Sequence, residues 1–237
     1  EDHIVNATGV LMNPEAVLTN EQQHRLAMLA SKPGVPQFIV KPEEARLAQK
    51  TKAKGRKTWR FQARNVRDVA FASSRKFIWD AAETTVGSQK VRAQSFYPNE
   101  AMPLWDKYAT HVIIHTLKTY SKLTLDYPFP VASAVNGPVW GMEYPMVAFC
   151  GGRPTSSGYY SRQAKYLMIG VIIHEVGHNY FPMIVNSDER RWAWMDEGLN
   201  SFCQIIAEQS FERGFPLRRG SADNIADLML TSDHQPI

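Results

Sequence analysis

The chain has 237 residues, of which 44% are hydrophobic and 21% are charged, which is the balance of a globular protein with a buried core. The longest apolar run near its main motif, LMIGVII, is too short to cross a bilayer, so we predict no membrane span. The formal net charge is +4, and much of the excess lies in KTKAKGRKTWR, where the short run and Gly55 favour a solvated loop or hairpin over a nucleic-acid site.

Residues 1 to 75 are predicted to be the end of a β-rich domain. HIVNATGVL and VPQFIVK have the composition of strands, and LTNEQQHRLAMLA between them has a capping Thr19 and helically spaced leucines. TWRFQARNVRDVAFASS alternates in polarity and is rich in β-formers, which indicates a half-buried strand followed by a turn. This segment shows no clear core of its own.

Residues 76 to 237 show a mixed pattern, so the predicted fold class is α+β. VRAQSFYP, PFPVASAV and YPMVAFC are predicted strands, and AMPLWDKYATHVIIHTLKTYSKLT has helical spacing of apolar residues. SRQAKYLMIGVIIHEVGHNYF predicts a long helix ending at Pro182. WMDEGLNSFCQIIAEQSFERGF predicts another that closes at Gly214.

The two cysteines restrict the kind of metal site that the chain can build. Cys150 and Cys203 lie in the apolar segments VAFCGG and NSFCQII, which favours buried free thiols over a disulfide. Two cysteines are also too few for a thiolate zinc cage. Any metal must therefore be held by histidine and carboxylate.

The segment HEVGH has the spacing of a metal-binding helix. Because each helical residue turns about 100°, His174 and His178 lie on one face and can converge on a single ion. Zinc in hydrolases commonly takes three protein ligands and leaves one position for water. Glu197, near the start of the next helix, is the natural third ligand. The alternative is a helix whose histidines are merely packed or solvated.

Glu175, between the two histidines, is offset from the metal-binding face and can flank the ion without binding it. Zinc lowers the pKa of its water, and Glu175 could accept the water proton and pass it to the leaving amine. A second pair, His111 and His115 in HVIIH, has the same spacing but no acid between them. We interpret that pair as structural residues of an amphipathic helix.

HEVGH followed by Glu197 after 18 residues resembles the zinc signature of the aminopeptidase N family of gluzincin metallopeptidases. Upstream, NGPVWGMEYPM resembles the GxMEN exopeptidase strand of that family. The resemblance covers roughly residues 58 to 215. It implies that residues 1 to 75 end an N-terminal β domain and that 76 to 237 begin a thermolysin-like catalytic domain, incomplete at its C-terminal end.

The resemblance also implies a function, a zinc aminopeptidase with one Zn²⁺ that acts on peptides with a free N-terminus. In the family the glutamate of the GxMEN strand binds the substrate α-amine, and here that residue is Glu143. The backbone of Gly141 and Met142 would line the same edge and could pair with the peptide as an added strand. Two alternatives remain: a thermolysin-like endopeptidase in which Glu143 is structural, and a zinc-containing peptide-binding module without turnover.

The sequence departs from the family pattern at two points. Tyr144 follows Glu143 where the common motif has asparagine. The family also uses a downstream tyrosine to stabilise the oxyanion, and no tyrosine follows Tyr180. We therefore expect the chain to be an internal fragment of a longer enzyme, weakly active or inactive by itself. The preferred N-terminal side chain, the oligomeric state and the localisation are not predicted.

Overall fold

The computed structural model describes residues 2–50 and 52–216. Ten strands lie in these ranges: β1 Ile4–Ala7, β2 Val10–Leu11, β3 Gln37–Val40, β4 Phe61–Gln62, β5 Phe71–Ser74, β6 Ile78–Val86, β7 Gln89–Tyr97, β8 Val131–Asn136, β9 Gly141–Tyr144 and β10 Val147–Cys150. Six α-helices accompany them: α1 Pro14–Val17, α2 Asn20–Ala27, α3 Pro42–Lys50, α4 Trp105–Leu123, α5 Arg162–Gly177 and α6 Leu199–Phe211. None of these helices is long and apolar enough to cross a membrane.

Six of the strands form one mixed sheet in the order β3-β6-β7-β8-β10-β9. The pairs β3–β6 and β6–β7 are antiparallel, whereas β7–β8 and β8–β10 are parallel. Because parallel neighbours need a long crossover, the chain passes through α4 between β7 and β8. Strand β9 then returns antiparallel along β10 and is the last strand at one edge of the described sheet.

The two faces of this sheet are covered by different parts of the chain. Helices α4, α5 and α6 pack on one face around buried residues such as Trp105, Leu117 and Ile172. On the other face, Leu29 of the N-terminal segment belongs to a core that includes Trp79 of β6. The metal-binding motif therefore lies on the helical face, with its helix packed against the sheet.

The predicted mixture of strands and helices is confirmed. The capping role of Thr19 is also confirmed, since its hydroxyl accepts the Gln22 N–H while the Gln22 side chain accepts the Thr19 N–H. The boundary between residues 75 and 76 stays a prediction. Strand β3, from the first segment, pairs with β6 in the main sheet.

Several predicted elements have different bounds in the structure; α6, for example, covers Leu199–Phe211 after a π-helical turn, rather than running from Trp194 to Gly214. The single strand expected in TWRFQARNVRDVAFASS is replaced by β4, which pairs with β2, and β5, which pairs with β1. Helix α5 ends at Gly177 rather than at Pro182. It ends early because the Asn179 side chain donates to the Val176 carbonyl and competes with continued helix. His178 is thereby left as the C-terminal cap of the helix.

Gly177 allows α5 to lie close to α4 and α6. A Cβ at this position would overlap the side-chain oxygen of Asn200 and the hydroxyl of Tyr120. Both residues are buried, and the Tyr120 hydroxyl donates to the Asn200 side-chain oxygen at 2.9 Å. Asn200 in turn donates from its Nδ2 to the His174 carbonyl at 2.8 Å. The absence of a side chain at Gly177 thus helps to hold the first histidine beside α6.

The variant Gly177→Ala is expected to lower the free energy of unfolding by about 1–3 kcal/mol, because the added methyl group has no space in a packed core. Urea unfolding followed by circular dichroism would measure the change. Gly198→Ala is the control, because a Cβ there would meet its nearest atom at an ordinary 3.5 Å. Equal stabilities of Gly177→Ala and the parent would contradict the close packing of α5 on α6.

Candidate metal centre and catalytic site

The three predicted metal ligands converge in the structure. His174 lies in the last turn of α5, His178 caps that helix, and Glu197 lies in the π-helical turn Trp194–Gly198 that leads into α6. The two Nε2 atoms are 3.1 Å apart, and Glu197 Oε2 lies 3.1 Å from Nε2 of His174 and 3.8 Å from that of His178. The sequence prediction that these side chains meet at one point agrees with this geometry.

The distances among the three side chains suit a zinc ion. Tetrahedral zinc with bond lengths of about 2.0–2.1 Å separates its ligand atoms by about 3.3 Å. The three observed separations, 3.1, 3.1 and 3.8 Å, lie on both sides of that value. Two nitrogens and one carboxylate oxygen are also a common donor set for hydrolytic zinc. The side chains of this site therefore fit zinc.

In both imidazoles the contacts of Nδ1 orient the ring so that Nε2 faces the point where the three side chains converge. Nδ1 of His174 lies 2.8 Å from Oε1 of Gln204. Nδ1 of His178 lies 2.8 Å from the Phe181 carbonyl oxygen and 2.8 Å from Oδ1 of Asp196. All these partners are acceptors, so each Nδ1 carries a proton and Nε2 remains for a metal.

The electrostatic environment of His178 favours a cation. Burial lowers the pKa of its imidazole, but the hydrogen bond with Asp196 and the negative charge of Glu143 outweigh burial and raise the pKa to about 9. The neutral imidazole that binds metal must lose its second proton.

Glu175 lies against the edge strand β9, as a buried acid beside the metal group. A Cβ on Gly141 would overlap Glu175 Oε1, so only glycine leaves room for this carboxylate. Burial raises the pKa of Glu175 to about 7, with opposing contributions from the two histidines and raising contributions from Glu143 and Glu197. A carboxyl group with this pKa can both take up and release a proton near neutral pH.

Glu143 shares one face of β9 with Gly141, because side chains alternate along a strand. Ligand atoms of Glu143, His178 and Asp196 lie within 4.8 Å of one another. Burial raises the pKa of Glu143, while the charge of His178 lowers it. The predicted amine-binding acid therefore lies beside the second histidine of the metal group.

Tyr144, the departure from the family motif, lies on the opposite side of the strand from Glu143. Its ring makes an edge-to-face contact with Phe149, with 5.9 Å between the centroids. Met142 faces the same side by the same alternation, so only its backbone borders the edge near the metal group. The Tyr144 side chain therefore does not face the carboxylate side of β9.

The sequence interpretation overlooked three residues that support the site, namely Asp196, Asn200 and Gln204. Two signals were available. Asp196 directly precedes Glu197, and Gln204 follows Glu197 by seven residues, which is two turns of a helix. Neither signal predicts a contact with histidine by itself, because the contact requires the packing of α6 against α5.

The pair His111 and His115 does not form part of a metal site in the described residues. Nε2 of His115 lies 2.8 Å from the Ala207 carbonyl oxygen, and His111 is exposed. Neither belongs to a group of metal-binding side chains in the described ranges. Cys150 and Cys203 are free buried thiols, as expected.

Comparisons with known proteins gave matches among solved structures. No family model matches the chain. No curated protein sequence matches it either. The M1 zinc metallopeptidase from Deinococcus radiodurans superimposes with a TM-score of 0.55 at 16% identity, over 89% of this chain and 38% of that one. The fold is similar to that of M1 zinc metallopeptidases.

Two further structures give the same result. A variant of the Deinococcus radiodurans M1 zinc metallopeptidase bound to a Tyr-Ser-Ala substrate has a TM-score of 0.56 at 14% identity, over 97% of this chain and 42% of that one. A two-domain M1 zinc metallopeptidase variant bound to L-tryptophan has a TM-score of 0.55 at 16% identity, over 97% and 43%. The chain thus spans about two fifths of the length of the enzymes that it resembles.

Proposed function

We propose that the chain is the metal-binding part of a zinc aminopeptidase, which hydrolyses the N-terminal peptide bond of peptides. The observation that supports this proposal most directly is the position of Glu143. This acid lies on an edge strand next to His178, within 4.8 Å of its ligand atoms. An endopeptidase has no use for a free carboxylate at that place, whereas an aminopeptidase needs one to bind the substrate amine.

The proposed metal ligands are His174, His178 and Glu197, and the ion is one Zn²⁺. When bound, zinc would polarise the scissile carbonyl and acidify water. Glu175 would accept the proton from that water and deliver it to the departing amine, as a carboxylate beside the metal ligands can do.

Glu143 would hold the substrate by its α-ammonium group. A charge-assisted hydrogen bond at a set distance from the metal ligands would place the first peptide bond, and no later one, at the reacting position. Strand β9 is the last strand of the described sheet, so its outer edge could pair with the peptide backbone at Gly141 and Met142. The Tyr-Ser-Ala peptide bound to the similar enzyme supports a peptide as the class of substrate.

Glu143→Gln is expected to raise KM for an aminoacyl 4-nitroanilide about 10- to 100-fold, because a hydrogen bond to a charged group contributes about 1.5–3 kcal/mol. The parent chain and the variant would be loaded with Zn²⁺ and assayed side by side on the free and N-acetylated compounds. Glu43→Gln is the control, since Glu43 is exposed and lies on α3. The parent should not cleave the acetylated compound.

The same assay distinguishes the alternatives. Cleavage of internal bonds in acetylated peptides, unchanged in Glu143→Gln, would indicate a thermolysin-like endopeptidase in which Glu143 is structural. Binding of zinc and peptide without turnover, in any longer protein that contains these residues, would indicate a binding module. Either result would replace the proposed function.

A further inference from the structure

Gln204 connects the first proposed metal ligand to a buried acid. It lies on α6, and its side chain is 9% exposed. Its Oε1 lies 2.8 Å from Nδ1 of His174. Its Nε2 donates to Oε1 of Glu208 at 2.7 Å and to the Gly170 carbonyl oxygen at 3.2 Å. The amide thus lies between α5 and α6, within hydrogen-bonding distance of both.

The two acceptors around Nε2 determine the orientation of the amide. A flipped amide would place its oxygen against the Gly170 carbonyl oxygen, which has no proton to donate. With the amide as it stands, only its oxygen can face the ring of His174. Nδ1 of His174 must then carry the proton, which leaves Nε2 with its lone pair directed at Glu197 and His178.

Glu208 is the buried acid that accepts a hydrogen bond from the Gln204 amide. It is 2% exposed and lies one helical turn beyond Gln204 on α6. It approaches α5 at Gly170, where a Cβ would come within 2.8 Å of Oε1 of Glu208. Helix α5 therefore leaves space for this carboxylate at the position where it meets the amide.

We propose that Gln204, held in place by Glu208, is a positioning residue that sets the tautomer and ring orientation of His174 and thereby the zinc affinity of the site. This inference rests on the zinc site of the proposed function. His178 has different outer partners, Phe181 and Asp196, so the two histidines are oriented independently. Loss of the amide should therefore affect zinc binding through His174 alone.

The test uses the whole 237-residue chain and Zn²⁺ as the probe. Gln204→Met keeps the length of the side chain and removes the acceptor for His174 Nδ1. We expect its zinc affinity, measured by competition with a chelator of known affinity, to fall about 10- to 100-fold. Gln209→Met is the control, because Gln209 is exposed on the same helix and, among the described residues, its side chain donates to the Phe215 carbonyl oxygen and not to His174.

A second readout separates positioning from general damage to the fold. The rise in Tm on adding saturating Zn²⁺ to the EDTA-treated protein depends on zinc affinity, and each variant is compared with its own metal-free form. A purely structural role would lower both Tm values and leave the rise unchanged. A positioning role reduces the rise itself.

The double variant Q204E/E208Q exchanges the amide and the carboxylate. It keeps an acceptor against His174 Nδ1, a donor at position 208 and the net charge, and it removes the hydrogen bond from position 204 to the Gly170 carbonyl oxygen. We expect it to recover most of the zinc affinity and of the rise in Tm that Gln204→Met loses. Zinc binding as weak as that of Gln204→Met would overturn the proposal, and so would unchanged affinity in Gln204→Met.

His174→Ala separates failure of this inference from failure of the zinc site. Suppose that the parent binds zinc, that His174→Ala does not, and that Gln204→Met binds it as tightly as the parent. Only the positioning role of Gln204 would then be wrong. If the parent itself binds no zinc, the proposed function and this inference are both wrong.

Discussion

Replacement of Glu175 by glutamine is expected to lower kcat about 10²- to 10⁴-fold while zinc content stays at about one ion per chain. Glutamine has the same shape, so it fits the space beside Gly141, but it cannot accept a proton. The three proposed metal ligands and Glu143 are unchanged, so KM for an aminoacyl 4-nitroanilide should change little. Steady-state kinetics of the zinc-loaded protein, with elemental analysis of the same samples, would measure both quantities.

Glu100→Gln is the matched control for this experiment, since Glu100 pairs with Lys76 at the surface, with Oε1 2.5 Å from Nζ. Its kinetics should equal those of the parent. An unchanged kcat in Glu175→Gln would show that another group takes the proton. A fall in kcat accompanied by loss of zinc would show instead that Glu175 supports the metal group.

Replacement of Glu197 by alanine is expected to reduce zinc content after dialysis from about one ion per chain to nearly none. Two imidazoles would remain, and hydrolytic zinc sites ordinarily use three protein ligands. The zinc-dependent rise in Tm should disappear with the ion. Elemental analysis and a thermal scan with and without Zn²⁺ would provide the two measurements. Glu189→Ala is the control, since Glu189 pairs with Arg67 in the segment that precedes the π-helical turn.

A second group of side chains could bind the zinc ion in place of the group that contains Glu197. Glu143, His178 and Asp196 also bring ligand atoms within 4.8 Å of one another. If Glu197→Ala retained one zinc ion and Asp196→Asn lost it, the ion would belong to that second group. Glu143 would then be a metal ligand and unavailable for an amine, and the proposed function would be wrong at its central point.

Local features of the fold were predictable from short stretches of sequence. The capping box of α2 needs only Thr19 and Gln22, three residues apart. The strands β8 and β10 followed from short apolar stretches bounded by proline and glycine. The predicted end of α5 was wrong because a side chain competes with the helix for a backbone carbonyl. Asn179 ends α5 by donating a hydrogen bond to the Val176 carbonyl. The prediction had instead placed the end of the helix at Pro182, three residues later.

The candidate site also has one part that the sequence predicts and one part that only the tertiary structure shows. That His174 and His178 share a helix face follows from helical periodicity alone, because four residues make about one turn. The position of Glu197 was a hypothesis, since nothing in 18 intervening residues determines where α6 begins. The packing of α6 on α5 through Gly177, Tyr120 and Asn200 brings Glu197 Oε2 to 3.1 Å from His174 Nε2.

The sequence by itself determined which donors lie on one helix face, because residue types and helical spacing decide it. The tertiary structure decided which of those donors meet. Strand order brings Glu143 beside His178, since β9 folds back on β10 at the edge next to α5. Contacts between α5 and α6 add Gln204 behind His174. Such contacts join residues about 30 positions apart, and they depend on how helices pack against a sheet rather than on any local pattern.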